Sequence, residues 1–498
     1  MAQAKTLAEL GLTAKSGRTP QVTGLAVDSR EVKDGYLFAA LPGTKIHGGE
    51  FIQYALRMGA AAILTDAEGA RIAAAELAAS QAALVVAEDP RQALAYAAAL
   101  WFGAQPATMV AVTGTNGKTS VATFTRQIWE ALELPAVNLG TTGVEGAYEV
   151  PLHHTTPEPI TLHRVLAAAA ATGVTHAAME ASSHGLAQKR LDGVQLAAAG
   201  FTNLTQDHLD YHANFAEYFN AKAGLFTRVL GVDGTAVINV DDARGMEMAN
   251  IARTRGQEVI SVGRREGADL QLLSQRYDAT GQTILCRFRG KSYSADLALL
   301  GGFQAENVAL AAGLVIACGA EPDRVFETLP ELVTVRGRMQ LAATRGNGAA
   351  VFVDYAHTPD AVATALKAMR PHVMGRLVAI VGAGGDRDTT KRPLMGQAAA
   401  EYADEVIVTD DNPRSEDPAA IRAAVLAGIP AQARVHVREV GDRAEAILRG
   451  VDALGPGDAL LIAGKGHETG QTVGDMVLPF DDAEQASVAV AALDGRLA

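Results

Sequence analysis

Compact apolar runs alternate along the chain with longer stretches of helical character, and each apolar run ends in a polar or glycine-rich turn. The clearest pair is Thr108-Met109-Val110-Ala111-Val112-Thr113, stopped by Gly114 and followed by a helical stretch over residues 118–132. The same pattern predicts strands at 176–180, 197–201 and 235–239, then at 350–354, 377–381, 406–410 and 459–463. Thr358-Pro359 and Asp417-Pro418 each place a capping residue before a proline suited to the first helical position, so helices are expected to start there. Residues from 481 onward read as a terminal helix with no separate role. Alternating strands and helices predict an α/β chain built on parallel sheets, which bind ligands at the carboxyl ends of their strands. No internal repeat or low-complexity linker marks the boundaries. One is placed near residue 88, ahead of the helical stretch leading into the glycine loop, and the other near residue 334, ahead of Arg336-Gly337-Arg338.

Composition narrows the class. At about 150 residues per domain, 498 residues fit three domains: 1–88, 89–334 and 335–498. Hydrophobic residues make up 48% and charged residues 20%, enough for sizeable cores. The fifty glycines suit short turns between strand and helix and close helix-on-sheet packing. Lys and Arg number 43 against 56 Asp and Glu, a net charge of −13 with no long basic run, which disfavours a general nucleic-acid binder. Cys286 and Cys318, with no Cys-x-x-Cys, cannot make a disulfide framework and fit a reducing compartment. The first residues lack a leader pattern, and the longest charge-free apolar stretch, about 308–320, falls short of the ~20 residues of a membrane span. A cytoplasmic protein without a membrane partner is expected.

The strongest chemical signal is Gly114-Thr115-Asn116-Gly117-Lys118-Thr119-Ser120, set between a strand and a helix. Glycines let backbone N–H groups approach phosphate oxygens at a helix N-terminus. Lys118 would neutralise β/γ-phosphates and Thr119 would ligate Mg²⁺. The standard spacing G-x-x-x-x-G-K-[ST] is not met, because Val112 stands at its first glycine position. Glu180 ends one predicted strand and His208 comes after the next. Alone, they would be an exposed carboxylate and a capping or packed histidine; beside a phosphate loop they suit a divalent cation. Lys222, on composition alone, is a solvated helix lysine. Further along, Gly384-Gly385-Asp386-Arg387-Asp388, Asp411-Asn412-Pro413-Arg414 and Gly464-Lys465-Gly466-His467-Glu468 each follow a strand end. Arg387 and Arg414 suit an amino acid with an additional carboxylate, and Glu468 could pair with an ammonium group.

The loop T-G-T-N-G-K-T resembles that of the Mur ligase family, the ATP-dependent amide-forming enzymes that build the peptide stem of bacterial peptidoglycan. Matching motifs run from residue 28 to residue 468. The resemblance implies a UDP-binding N-terminal α/β domain, a central P-loop-type parallel-sheet ATPase domain and a C-terminal Rossmann-like α/β domain. It implies ATP as co-substrate, held by residues 114–120, with Asn307, Arg338 and Asp354. It implies Mg²⁺ held by Thr119, Glu180, His208 and Lys222, the last as a carbamate formed with CO₂. Val27, Ser29, Lys45, Ile46 and His47 resemble the uridine-diphosphate pocket. His154, Thr155, Thr156, Ser182, Gln188 and Arg190 resemble the residues holding the muramoyl-peptide. His154 stands where some relatives have Asn, and Gln340 where relatives usually have Glu.

Asp411-Asn412-Pro413-Arg414 resembles the signature of family members that add meso-diaminopimelate, whose site would include Arg387, Gly464 and Glu468. Lysine-adding relatives lack the arginine at 414. The implied reaction phosphorylates the γ-carboxylate of UDP-N-acetylmuramoyl-L-Ala-D-Glu, and the amine of diaminopimelate then displaces phosphate, all in a monomer with small-molecule partners. A folylpolyglutamate synthetase, which typically has Gly at the position of Thr119, and a lysine-adding ligase are the near alternatives. A non-ligase nucleotide switch is the distant one.

Overall fold

The computed structural model describes residues 4–15, 17–43, 46–152, 154–205, 214–278 and 281–495. The chain forms two compact units, residues 1–271 with 307–325 and residues 272–306 with 326–498.

The first unit holds two main sheets. Strands β1 (Gly24–Ala26), β2 (Tyr36–Ala39), β3 (Ala62–Thr65) and β4 (Ala83–Val86) pair in that order, all parallel. Helix α1 (Pro90–Phe102) follows, with the Asp89 carboxylate accepting from the Arg91 and Gln92 amides and Pro90 at its first turn. The second sheet contains β5 (Thr108–Thr113), β6 (Ala136–Gly140), β7 (Gly143–Gly146), β8 (His176–Glu180), β9 (Ala198–Phe201), β10 (Thr235–Asn239) and β11 (Glu258–Gly263). Their order is β11-β10-β9-β5-β8-β6-β7, and only β7 runs antiparallel to its neighbour. The strands expected at 108–113, 176–180 and 235–239 form with those bounds, and the one expected at 197–201 starts a residue later. β5 thus lies between β8 and β9, so the glycine loop at its end is flanked by the ends of both. Helices α2 (Lys118–Ala131), α3 (Pro159–Ala171) and α4 (Phe215–Gly224) also belong to this unit, as do residues 307–317 of helix α5 (Phe303–Ala317).

Helix α3 buries His163, 2% exposed, with its Nε2 unpartnered. Burial pushes its imidazole pKa down to about 4. The unfolded chain therefore binds the extra proton between pH 6.5 and 4, and stability falls as pH falls through that window, by roughly 3 kcal/mol at its lower end. His163→Leu is expected to flatten the loss. Urea midpoints of both proteins at pH 7 and pH 4.5 check it, and parallel losses would exclude His163 as the source.

In the second unit, β12 (Gln282–Phe288) and β13 (Lys291–Leu297) form an antiparallel hairpin. A six-stranded sheet contains β14 (Gln340–Thr344), β15 (Ala350–Asp354), β16 (Leu377–Val381), β17 (Glu405–Val408), β18 (Val437–Glu439) and β19 (Ala459–Ala463), in the order β14-β15-β19-β16-β17-β18. All but β14 run parallel. β19 returns between β15 and β16, which makes a topological switch point, where open parallel sheets bind ligands. Helices α6 (Pro359–Met369) and α7 (Pro418–Ala427) begin at the expected capped prolines, with the Thr358 and Asp417 side chains accepting backbone N–H groups. β17 ends two residues before its expected end, where the Asp410 carboxylate turns to pair with Arg422. Helix α8 (Arg443–Asp452) precedes β19. A small hairpin of β20 (Gly470–Val473) and β21 (Met476–Pro479) and helix α9 (Asp482–Leu493) follow it.

Candidate active site

In the first unit the glycine loop is braced from three sides. The Lys118 ammonium donates to the loop's own carbonyls at Gly114 (3.0 Å) and Thr115 (2.8 Å). Beyond β9, Thr202 Oγ1 donates to the Asn116 carbonyl at 2.6 Å, and Asn203 Oδ1 accepts the Asn116 amide at 2.9 Å. Two glycines are required by space as well as by conformation. Gly114 (φ +148°) approaches Thr202 so closely that a Cβ would lie 1.8 Å from its Oγ1. At Gly117 (φ +85°) a Cβ would lie 2.5 Å from Asn307 Oδ1, which places the Asn307 amide against the loop. From α4, Lys222 is 1% exposed and donates to the Gly114 carbonyl at 2.7 Å, while the Tyr218 hydroxyl meets Thr115 Oγ1 at 3.1 Å. The solvated helix lysine that composition favours is excluded by that burial.

The Glu180 carboxylate, at the end of β8 and 2% exposed, gathers the next group. Its Oε1 accepts from Thr119 Oγ1 (3.0 Å) and from the Thr141 amide (2.8 Å). Gly140 is the residue that lets it in, since a Cβ there would sit 2.0 Å from Oε1. Thr156 Oγ1 donates to the Glu180 carbonyl (2.9 Å) and accepts the Ser182 amide (3.1 Å). Arg190 Nη1 donates to the Thr156 carbonyl (2.5 Å), and the same guanidinium holds Gln188 Oε1. Thr155 joins through Thr141 (3.2 Å), whereas His154 is exposed. His208 and Lys45 lie outside the described residues. A hydroxyl and a carboxylate 3.0 Å apart are the hard oxygen donors that Mg²⁺ takes, so this pair fits the ion.

In the first sheet's loops, Val27 and Ser29 are half-buried and Ile46 is 59% exposed. His47 caps the turn 48–51 through Nδ1, and its Nε2 pairs with Asp66 at 3.1 Å. Asp66 also lines a cleft of about 770 Å³ with Pro42, Asp89, Arg91 and Gln92.

In the second unit the neighbouring ends of β15, β19, β16 and β17 bring the remaining groups together. Asp354 accepts the Met339 amide at 2.7 Å, and Arg338 lies over the Tyr355 ring, 5.0 Å from its centroid. Burial pushes the Asp354 carboxyl above its usual range, against the pull of Arg338. Gln340 Oε1 accepts the Gly337 amide at 2.7 Å, which a carbonyl oxygen does as well as a carboxylate. Arg414, in a left-handed conformation (φ +53°), donates Nη1 to the Gly385 carbonyl at 2.7 Å. Asp386 ties back through Ser415 Oγ at 2.6 Å, and Glu416 holds both the Asp386 amide and the buried Arg392. Arg387 is exposed on this loop, and Pro413 is buried beneath it. Asn412 Nδ2 donates to Glu468 Oε2 at 2.9 Å. Gly464 (φ +122°) leaves room for Asp411, whose Oδ2 would lie 2.4 Å from a Cβ.

Three consecutive parts of the chain match known domains: residues 21–101 the Mur ligase family catalytic domain, 112–315 the Mur ligase middle domain and 337–466 the Mur ligase glutamate ligase domain. The chain is 50% identical over 477 residues to the UDP-N-acetylmuramoyl-L-alanyl-D-glutamate--2,6-diaminopimelate ligase of Bradyrhizobium diazoefficiens, covering 95% of each. The chain belongs to the Mur ligase family. A ligase of the same name from Caulobacter vibrioides is 47% identical to this Mur ligase over 482 residues, covering 95% of the chain and 96% of the relative. A solved structure of a ligase of that name aligns with a TM-score of 0.75 at 34% identity, covering 99% of each chain.

Several residues of this Mur ligase site escape a reading by motif. Gly140 and Thr141 end a short, mostly apolar run, Ala136-Val137-Asn138-Leu139, interrupted by Asn138, and its stop is the available signal. Tyr218, Thr202 and Asn203 carry no motif that distinguishes them from packed or capping residues, and Lys465 stands in a noted glycine-rich turn with no role assigned to it.

Proposed function

We propose that this Mur ligase joins meso-diaminopimelate to the D-Glu of UDP-N-acetylmuramoyl-L-Ala-D-Glu, with cleavage of ATP to ADP and phosphate. The observation that carries the reading is the near-full-length likeness to ligases of that name. Three turns at adjoining strand ends, all bearing a carboxylate and two of them an arginine, suit an amino-acid site. By function the chain divides into a UDP-sugar domain (1–88), an ATP domain (89–334) and an amino-acid domain (335–498).

The γ-carboxylate oxygen of D-Glu attacks the γ-phosphorus, the bond to the bridging oxygen breaks, and ADP leaves. The amine nitrogen then attacks the acyl carbon, the phosphate leaves with the C–O electron pair, and the amine loses a proton. The glycine-loop amides and Lys118 stabilise charge on the phosphoryl group as it transfers. Asn307 reaches toward the nucleotide beside Gly117, and Arg338 and Asp354 contribute further nucleotide contacts. Thr119, Glu180 and His208 would hold Mg²⁺, which offsets phosphate charge when bound. Lys222 as a carbamate would add an anionic ligand. Val27, Ser29, Lys45, Ile46 and His47 take the UDP part, and residues 154–156, Ser182, Gln188 and Arg190 the muramoyl-peptide. Arg387 and Arg414 meet the extra carboxylate of diaminopimelate, and Glu468 an ammonium group.

Phosphate release from ATP, with the nucleotide-peptide and either meso-diaminopimelate, L-lysine or no amine, tests the reading. Turnover that requires both the nucleotide-peptide and diaminopimelate supports it. Preference for lysine would keep the ligase and overturn the role of Arg414, and indifference to both acceptors would overturn the ligase. In the same assay Gly140→Ala is expected to lower turnover at least tenfold, because the new methyl displaces the Glu180 carboxylate. Wild-type turnover would remove Glu180 from the reacting centre.

A further inference from the structure

Lys465 belongs to none of the groups above that touch substrate, yet it is wholly buried in the middle of them. Its Nζ donates to Asn412 Oδ1 at 2.8 Å and to the Gly470 carbonyl at 2.9 Å, and it lies 3.7 Å from Asp411 and 3.8 Å from Glu468. The backbone N–H of Thr472, on β20, donates to the same Asn412 Oδ1 at 2.9 Å. An amide oxygen has two lone pairs, and both are taken. If the Asn412 amide turned over, its NH₂ would face an ammonium and a backbone N–H, neither of which can accept a hydrogen bond. Only one orientation satisfies the group, and it points Nδ2 at Glu468 Oε2, 2.9 Å away. A buried polar group left without partners costs about 1–3 kcal/mol, so the preference is strong.

We infer that Lys465 is a positioning residue: by fixing the Asn412 amide it holds the Glu468 carboxylate where the ammonium of the incoming diamino acid meets it. The inference rests on the reading of this site as the diaminopimelate site. Lys465 acts through Asn412 and forms no bond to the substrate. Removing it frees the amide to rotate and lets Glu468 swing, which weakens amino-acid binding and leaves the nucleotide sites of the first unit as they are.

The test is a double-mutant cycle read in the Michaelis constants. Lys465→Met keeps the length and removes every donor. It is expected to raise KM for meso-diaminopimelate about tenfold, with KM for ATP and for the nucleotide-peptide within twofold. Lys465→Gln, which retains an N–H donor for Asn412 Oδ1, should recover most of the loss. Asn412→Ala should match Lys465→Met, and the double variant should be no worse than Asn412→Ala alone, since residues acting as one unit are not additive. A multiplicative loss near a hundredfold, an unchanged KM in Lys465→Met, or a Lys465→Gln as poor as Lys465→Met would each overturn the inference. Should Lys465→Met not fold, Asn412→Asp decides. It keeps an acceptor oxygen for Lys465 and Thr472 and replaces the donor to Glu468 by a carboxylate oxygen, which repels Glu468 from that position. The expected result is an undiminished Tm with a KM for diaminopimelate raised tenfold or more, and an unchanged KM would overturn the inference. The unsubstituted protein is assayed first. Turnover independent of diaminopimelate would overturn the parent reading and this inference with it, whereas diaminopimelate-dependent turnover with a multiplicative cycle overturns the inference alone.

Discussion

Arg414→Ala is expected to raise KM for meso-diaminopimelate about a hundredfold and to leave KM for ATP within twofold. The guanidinium joins two loops, donating to the Gly385 carbonyl while its own backbone bridges to the β20 strand through the Thr472 carbonyl and the Gly474 amide. A planar fork at the rim of the site can grip a carboxylate through two parallel N–H bonds, and a lost charge-assisted pair is worth about 2–3 kcal/mol, which is the hundredfold. Arg414→Lys keeps the charge and forfeits the fork, so it should recover only part of the loss. Discrimination against L-lysine should fall with it, because lysine lacks the distal carboxylate and leaves Arg414 with nothing to bind. Steady-state kinetics with both amino acids decide the matter: an unchanged preference for diaminopimelate in Arg414→Ala would remove this residue from specificity.

Lys222→Ala should lower kcat by about a thousandfold, on the scale of losing one preorganised electrostatic group at a phosphoryl-transfer centre. The identity of the rescuing molecule then reports the chemical state of the lysine. As an ammonium, Lys222 donates to the Gly114 carbonyl and holds the loop as a cation, and small alkylamines would restore activity. As a carbamate, formed when the neutral amine adds to CO₂ and releases a proton, it is an anion, and short-chain carboxylic acids would restore activity. Rescue by carboxylates is the expected outcome. Rescue by amines alone, or by neither, would overturn the carbamate.

The glycine loop and the strand before it were legible because their signal is local: an apolar run, a stop, and a helix start within a dozen residues. The strands expected at 176–180, 197–201, 235–239, 350–354, 377–381 and 459–463 were legible for the same reason. The one expected at 406–410 ends early because its end depends on the Asp410–Arg422 pair twelve residues apart, and β6, β7, β11, β14 and β18 were not read from the sequence. The burial of Glu180 and Lys222 was not legible. It arises where β5 enters between β8 and β9, an arrangement no window of sequence contains. Gly140 shows the limit most clearly. Its importance lies in the space taken by a carboxylate forty residues away, and the run before it reads as any short apolar segment. In the proposed amino-acid site, Arg387 and Arg414 stand in motifs that the sequence displays. The residue proposed to position Glu468 was not legible, since Lys465 looks like one more charged residue in a glycine-rich turn until its burial is known.

The terminal helix, too, has more to do than its sequence suggests. Asp482 opens α9 and pairs with Arg443 at the start of α8, both fully buried, and the same guanidinium donates to the Ala463 carbonyl at the end of β19. The segment from Gly464 to Glu468 is therefore pinned before it begins and again after the β20–β21 hairpin that follows it. Between those pins Thr469 and the outer part of the hairpin, Val473 to Pro479, are exposed, Met476 at its tip among them. A fluorophore attached at Met476, once exchanged for cysteine, would ride on a strand pair whose base holds Asn412 and Lys465. Its emission would then report, in real time, when an amino acid arrives in the site and when the product departs.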